Sequence, residues 1–298
     1  MKNNKCKFCG DDCEYWYNIN EFEIYGCKNC KTSYTSNMPS EEELKHYYDG
    51  FNFCINPKSK IRIISNAYKY FYKSLNLPNN AKMLDIGGGG GFFSCAFEKF
   101  GFGKAVYIDI DNQSCEYAKS LNISKVINAD VRDLKNISNE KYDFIYCRHV
   151  VEHLTDPIPV IDAAIELLNK NGLFILQYPN SLSLERLASK CFYKERMETL
   201  LKSNKDYSYI KALKTIFSYK TGNDVYPPRH LWGLTACGMK EYLSKKEGIS
   251  YNFKLKSITD KIYSPYYTGV KDSPRLAMFL ARSIRGGCHV VCSIRKNS

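Results

Sequence analysis

The chain has 298 residues, of which 44% are hydrophobic and 25% charged. That is the balance of a globular protein with one large domain or two smaller ones. No stretch approaches the ~20 apolar residues of a membrane-spanning helix, and the polar first dozen residues carry no apolar signal core. Collagen-like, disordered and membrane-spanning classes are excluded. Thirteen cysteines, an odd number without a secretory signal, point to reduced thiols and a cytoplasmic location. The net charge of +12 is unevenly placed. Residues 1–60 hold 8 basic and 9 acidic residues, and residues 61–180 hold 13 of each. Residues 181–298 hold 22 and 9, so an anionic partner is expected to meet the last third.

The N-terminus carries Cys6-Lys-Phe-Cys9 and Cys27-Lys-Asn-Cys30. Two CxxC turns of this kind can place four thiolates around one tetrahedral Zn²⁺. The aromatic, period-two stretches between them, Glu14–Tyr17 and Glu21–Tyr25, predict a hairpin joining the turns. The pattern resembles a zinc ribbon over residues 1–35, with Cys13 as a spare thiol. Four thiolates on zinc add negative charge to a segment already near neutrality, which disfavours phosphate binding by the ribbon and favours a structural or docking role. Residues 36–60 read as a linker with an acidic helix start at Ser40. Apolar positions from Ile61 to Leu75 follow helical spacing.

A short apolar strand then runs from Lys82 through Asp85 into five glycines, Gly87 to Gly91, and on into a helix from Phe92. Glycines let a backbone adopt positive φ and approach a ligand closely. Four further strands are predicted. Ala105 leads to Asp109, Ser124 to Asp130, Tyr142 to Cys147, and Leu173 to Tyr178. A helix is expected over Pro157 to Leu168, stopped at Asn171-Gly172. Tyr251 to Ile258 and His289 to Arg295 predict two closing strands, with a helix over Ser273 to Ile284 between them. Alternating strands and helices give an α/β fold, a doubly wound and mostly parallel seven-stranded sheet with its site at the strand C-termini.

The order of Asp85, Gly87, Gly89 and Gly91, with Asp109 and Asp130 after later strands, resembles the class I S-adenosylmethionine-dependent methyltransferases. The resemblance implies that Gly87 and Gly89 pack on the methionine part of the cofactor. It implies that Asp109 binds the ribose hydroxyls and Asp130 the adenine amine, with Asp85 in the same motif. The methyltransferase domain is expected over residues 61–298, with a helical insertion at about 180–230 roofing the acceptor.

After the fourth strand comes Cys147-Arg-His149-Val-Val-Glu152-His153-Leu-Thr-Asp156-Pro157. It resembles the corresponding segment of ubiquinone-pathway O-methyltransferases. A hydroxyl acceptor must lose a proton, and His149 or His153 suits that task. Relatives with Glu-x-x-Glu-His here bind a divalent metal. His149, Glu152, His153 and His230 offer a donor set suited to a transition metal; the preferred reading is that Glu152 and His153 cap the following helix and contact the cofactor loop. Neither an Asn/Asp-Pro-Pro-Tyr/Phe segment nor a Pro-Cys pair follows the fourth strand, which argues against two types of base methylation.

The insertion is basic and rich in Tyr and Phe. It ends at Tyr226-Pro-Pro-Arg229-His230-Leu-Trp232, similar to a segment lining the acceptor site in relatives, so His230 joins the catalytic candidates. The expected activity is methyl transfer, O-methylation in preference, to a small acidic or phosphate-bearing acceptor such as a nucleotide-linked sugar or glycan precursor. A family with a similar N-terminal zinc module, the sugar C-methyltransferases, lends support. RNA methylation is the alternative, since ribosomal-RNA guanine enzymes also place a zinc ribbon before this fold.

Overall fold

A computed structural model describes residues 5–49, 57–185, 190–218, 220, 224–257, 260 and 275–297. The N-terminal hairpin is β1 (Cys13–Ile19) and β2 (Phe22–Cys27), joined antiparallel with Cys13 opposite Cys27. A short third strand, β3 (Ser33–Thr35), pairs with β2. Residues 36–60, read as a linker, contain α1 (Glu41–Asp49) and the start of α2 (Pro57–Tyr70). Ser40 and Glu43 form a reciprocal capping box that starts α1.

The central sheet begins with β4 (Ala81–Ile86), followed by α3 (Phe92–Lys99), β5 (Gly103–Asp109) and α4 (Asn112–Ser120). Then come β6 (Lys125–Asn128), the one-turn α5 (Leu134–Ile137) and β7 (Tyr142–Arg148). The next helix, α6, ends at Glu166 (Ile158–Glu166), and β8 (Leu168–Pro179) starts two residues later. The chain then enters α7 (Lys190–Ser203) and α8 (Tyr209–Phe217). A two-residue strand, β9 (Trp232–Gly233), precedes α9 (Ala236–Leu243). Thr235 caps α9, its hydroxyl accepting from the Gly238 amide at 2.9 Å. The chain closes with β10 (Ile249–Lys256), α10 (Arg275–Arg285) and β11 (His289–Lys296). Ser273 and Pro274, expected in the last helix, lie outside the described residues, as does Ile258.

The seven strands stand in the order β10-β11-β8-β7-β4-β5-β6. Strands β4 to β8 run parallel, and β11 is antiparallel to both β8 and β10. The doubly wound, mostly parallel sheet is as expected. Its inner strands β4, β5, β7 and β8 read as near-continuous apolar runs because both faces are covered. Ile86, Ile108 and Leu176 lie in one apolar layer, and Met83, Tyr107 and Phe144 in the other.

The N-terminal sheet is not a separate bead. Its order is β1-β2-β3-β9, with Tyr34 opposite Trp232 and Ser33 opposite Gly233. The strand that follows the insertion thus completes the cysteine-bearing sheet. A second join is apolar: Tyr17 and Ile19 of β1 pack with Met197 and Leu200 of α7 and Ile216 of α8. Within that join the fully buried Arg196 guanidinium donates to the Tyr17 hydroxyl at 2.8 Å and the Val225 carbonyl at 3.3 Å and lies over the Tyr17 and Tyr226 rings, contacts that offset part of the cost of burying a charge.

Candidate functional site

The glycine turn between β4 and α3 forms a cradle at the C-terminal end of the sheet. Gly87, Gly89 and Gly91 all have positive φ, at 63°, 51° and 64°, a region where a side chain is strained. At Gly87 a Cβ would lie 2.4 Å from Val150 Cγ2, so this glycine is also needed for contact with the loop after β7. At Gly89 an added Cβ would meet nothing within 4 Å. That position faces open space, as a ligand-cradling turn requires.

Asp109 closes β5 beside that space and is 9% exposed. Its Oδ2 accepts from the Gly89 amide and its Oδ1 from the Asp111 amide, both at 2.9 Å. Burial pushes its carboxyl up, and these amide hydrogen bonds oppose the rise. The carboxylate is fixed in orientation while each oxygen keeps a further lone pair. Tyr107 donates its hydroxyl to the Gly89 carbonyl at 2.6 Å, bracing the turn from below. Ile110, which sequence reasoning passed over, is 63% exposed directly after Asp109. An apolar residue directly after the acid that closes β5 is the feature of the sequence that marks it.

Asp85 is 3% exposed, and its Oδ2 accepts from Ser94 Oγ at 2.6 Å. Burial pushes its carboxyl up to about 6; the Ser94 hydrogen bond opposes this and Asp109 reinforces it. Asp130 is placed differently from a bare adenine acceptor. It caps the turn at Val131–Asp133 and accepts from the Arg132 amide and Nε, both at 2.9 Å. Burial raises this carboxyl, but the Arg132 hydrogen bonds outweigh it and hold it below the usual range. Arg132 in turn reaches Glu41 of α1 at 2.6 Å.

The loop after β7 brings the histidines together. His149 has φ 54°. Its Nδ1 lies 3.0 Å from Glu152 Oε1, and its Nε2 is 3.2 Å from Gln177 Nε2. The Gln177 carbonyl oxygen accepts from Tyr146 at 3.3 Å, so the amide donates to His149 Nε2 and Nδ1–H donates to Glu152. Both ring nitrogens of His149 are thereby engaged in a half-buried relay. His149 also packs edge-on against His289, with centroids 5.1 Å apart.

His153 and His230 sit otherwise. His153 Nδ1 is 2.9 Å from the Arg229 carbonyl, and His230 Nδ1 is 2.9 Å from the Asp224 carbonyl. A carbonyl only accepts, so each Nδ1 carries the proton and each Nε2 the lone pair. The rings meet edge-on with centroids 4.8 Å apart. His153 Nε2 is 3.9 Å from Glu152 Oε1, and Glu152 is 1% exposed. Burial holds the His153 imidazole below its ordinary range, against the pull of Glu152. One donor atom each from Glu152, His153 and His230 lie within 4.8 Å of one another. His230 is held there by its neighbours in the chain: the Leu231 amide donates to the Glu152 carbonyl at 2.8 Å, and the Trp232 indole Nε1 to the Leu154 carbonyl at 2.9 Å.

The four predicted zinc ligands converge. Sγ of Cys6 is 3.6 Å from that of Cys30, and Cys9 Sγ is 3.3 Å from Cys27 Sγ. Disulfides would bring sulfurs to about 2.05 Å, whereas a tetrahedron of 2.3 Å Zn–S bonds separates them by about 3.8 Å. The four-thiol donor set fits Zn²⁺. Cys13 is buried at the start of β1 and is not part of the four-sulfur group. The cluster is anchored to the catalytic domain: Thr235 Oγ1 donates to the Cys30 carbonyl at 2.8 Å, and Lys245 Nζ to the Cys9 carbonyl at 3.0 Å.

Residues 61–224 match the methyltransferase domain family. The chain belongs to that family. The class I methyltransferase resemblance drawn from the glycine turn is borne out. Among curated relatives, the ubiquinone biosynthesis O-methyltransferase of Xylella fastidiosa (strain 9a5c) is 30% identical over 130 residues, covering 41% of this chain and 52% of the relative. The enzyme of the same description from Haemophilus ducreyi is 30% identical over 122 residues, covering 38% and 51%. The chain spans about half the length of the curated relatives it matches. Among solved structures, the plantazolicin methyltransferase BamL, in complex with a triazolic desmethylPZN analog and SAH, is 18% identical. That comparison covers 87% of this chain and 92% of BamL at a TM-score of 0.47. BpumL with SAH is 16% identical, with 87% and 91% coverage and a TM-score of 0.44. These likenesses concern the fold alone.

Proposed function

We propose that the chain transfers a methyl group from S-adenosylmethionine to a hydroxyl of a small anionic acceptor, of the class of nucleotide-linked sugars or glycan precursors. The cradle at Gly89, open and flanked by an oriented carboxylate, fits the cofactor. Asp109 would hold the ribose hydroxyls, Ile110 one face of the adenine, and Gly87 and Gly89 the methionine part. Asp85 supplies negative charge behind the turn. The bound cofactor supplies an electrophilic methyl group on a sulfonium centre.

The observation that carries the reading is the pair His153 and His230 beside Glu152. A hydroxyl oxygen attacks well only as its proton leaves. His153 is kept neutral by burial, and its Nδ1–H is pinned on the Arg229 carbonyl, so Nε2 can take that proton. Glu152, 3.9 Å from Nε2, stabilises the imidazolium that forms. His230, edge-on to His153, orients the same oxygen. His149 positions Glu152 and does not act as the base, because its lone-pair nitrogen accepts from Gln177. In-line displacement asks the protein mainly for alignment, and the His230 segment is aligned by its own pairing with the cysteine-bearing sheet. The basic balance of residues 181–298 supports an anionic acceptor.

The test is transfer of tritiated methyl to a nucleotide-sugar pool and to total RNA, with Asp109→Ala as control. Label in the sugar pool, absent from the variant, is expected. Label in RNA alone, with binding that falls steeply with salt, would transfer the reading to RNA methylation. Asp130→Asn, judged by cofactor affinity, decides whether that residue meets adenine or only caps its own turn.

A further inference from the structure

The loop that carries His153 and the segment that carries His230 are laced together by three hydrogen bonds. The Leu231 amide donates to the Glu152 carbonyl at 2.8 Å, His153 Nδ1 to the Arg229 carbonyl at 2.9 Å, and Trp232 Nε1 to the Leu154 carbonyl at 2.9 Å. The carbonyls on either side of His153 are thus held by the two residues that follow His230. Leu231 and Trp232 are 0% and 2% exposed, so these donors are shielded from water.

Trp232 has a second set of partners, and they come from the cysteine-bearing ribbon. Its backbone pairs with Tyr34 of β3, and the two rings lie 5.3 Å apart at 30°. The Phe8 ring meets it edge-on at 5.9 Å, and Lys7 Nζ stands 5.9 Å from the ring centroid. Lys7 and Phe8 are the two residues between Cys6 and Cys9. Lys7 also pairs with Asp156, three residues after His153, at 2.6 Å. The Thr35 amide donates to the Leu231 carbonyl at 2.9 Å. The first CxxC turn therefore grips both halves of the laced pair, and a four-thiolate turn of this kind takes its shape from the metal. The cofactor cradle is braced differently, by Tyr107, Ser94 and Asp109 from its own layer of the sheet.

We propose that Trp232 is a positioning residue through which the zinc ribbon sets His153 against His230, so that zinc governs the acceptor side of the site and not the cofactor side. The inference rests on the reading of His153 as the base. Attack by a hydroxyl is sensitive to placement, and a shift of about 1 Å costs about 10²-fold in rate. Without the indole donor the Leu154 carbonyl loses its partner, and the His153 ring loses the fixed backbone from which it is aimed.

Two variants of the full chain test this. Trp232→Phe keeps a ring against Phe8 and Tyr34 and removes the donor to Leu154. Tyr34→Leu keeps the donor and removes the ring on which the indole leans. Tyr25→Leu, one strand further away with its ring 6.2 Å from Tyr34, is the control for a general weakening of the ribbon. Histidine ring resonances, assigned with His149→Gln, His153→Gln and His230→Gln, are recorded without acceptor. Those of His153 and His230 should move in Trp232→Phe and Tyr34→Leu, and that of His149, held from β8 by Gln177, should stay. Methyl transfer to the nucleotide-sugar pool should slow about 10–100-fold in both, with the KM for S-adenosylmethionine and the zinc content unchanged. Chelation of zinc from the wild-type chain should give the same split, lost transfer with cofactor binding retained. Unmoved His153 and His230 resonances in Trp232→Phe would overturn the proposal. So would a loss of transfer in Tyr25→Leu equal to that in Tyr34→Leu, or full transfer by the zinc-free chain. Should the resonances move while the wild type methylates no hydroxyl, the base reading falls and the placement of the two rings by Trp232 stands.

Discussion

Replacement of Asp85 by asparagine separates stability from ligand binding in one residue. Burial raises this carboxyl from its ordinary 3.8 to about 6. The rise corresponds to about 3 kcal/mol of unfavourable ionisation once the pH exceeds both values. A raised acid pKa means that the native state binds more protons than the unfolded state between pH 3.8 and about 6. The contribution of Asp85 to stability therefore falls as pH rises through that window and stays low above it. Asparagine keeps the acceptor for Ser94 Oγ, 2.6 Å away, and loses the charge. Urea unfolding of wild type and Asp85→Asn at pH 4 and pH 8 should show near-equal stabilities at pH 4. The variant should be up to about 3 kcal/mol more stable at pH 8. Titration with S-adenosylmethionine should show weakened affinity, because the negative charge behind the glycine turn that favours the sulfonium cofactor is lost. A stability gap that does not change with pH, or a variant less stable at pH 8, would refute the reasoning.

Gly87→Ala should cost about 1–3 kcal/mol through positive φ and the 2.4 Å approach to Val150. Gly101→Ala, with φ 77° but open space around it, should cost less, and urea midpoints compare the two. His153→Gln should lower kcat about 10²–10⁴-fold with KM little changed. The wild-type rate should hold its plateau to a pH below the ordinary imidazole range, because a base with a lowered pKa stays deprotonated there; a loss under tenfold would remove His153 from the proton transfer. Cys30→Ser should abolish a stoichiometry of one zinc per chain, measured by mass spectrometry of the metal, and lower the melting temperature. Full zinc content in that variant would show that Cys30 is not a ligand.

The parallel strands are legible because each is an apolar run closed by a turn signal, and the acids at their ends announce a site. What is not legible has physical causes. Strand β3 has three residues and β9 two, too short for any alternation to register. Their partners, Tyr34 with Trp232 and Ser33 with Gly233, lie most of the chain apart. Trp232 therefore reads as an acceptor-lining residue, whereas it pairs with Tyr34 and ties the cysteine-bearing sheet to the site. Strand β8 begins at Leu168 and not at Leu173 because Asn171, at φ 62°, turns within an irregular register beside β7. On sequence alone Asn171-Gly172 reads as a helix stop. The three histidines are equivalent as letters. Hydrogen bonds from Gln177 and to Arg229 and Asp224 give them different surroundings, and none of those contacts follows from spacing along the chain.

Calorimetric titration of S-adenosylmethionine into the wild-type chain and into Asp109→Ala tests the central claim most directly. One site per wild-type chain is predicted, with affinity at least tenfold weaker in the variant, since each oriented charge-assisted contact is worth about 1.5–3 kcal/mol. Equal affinities in the two proteins, or no binding to the wild type, would contradict the account.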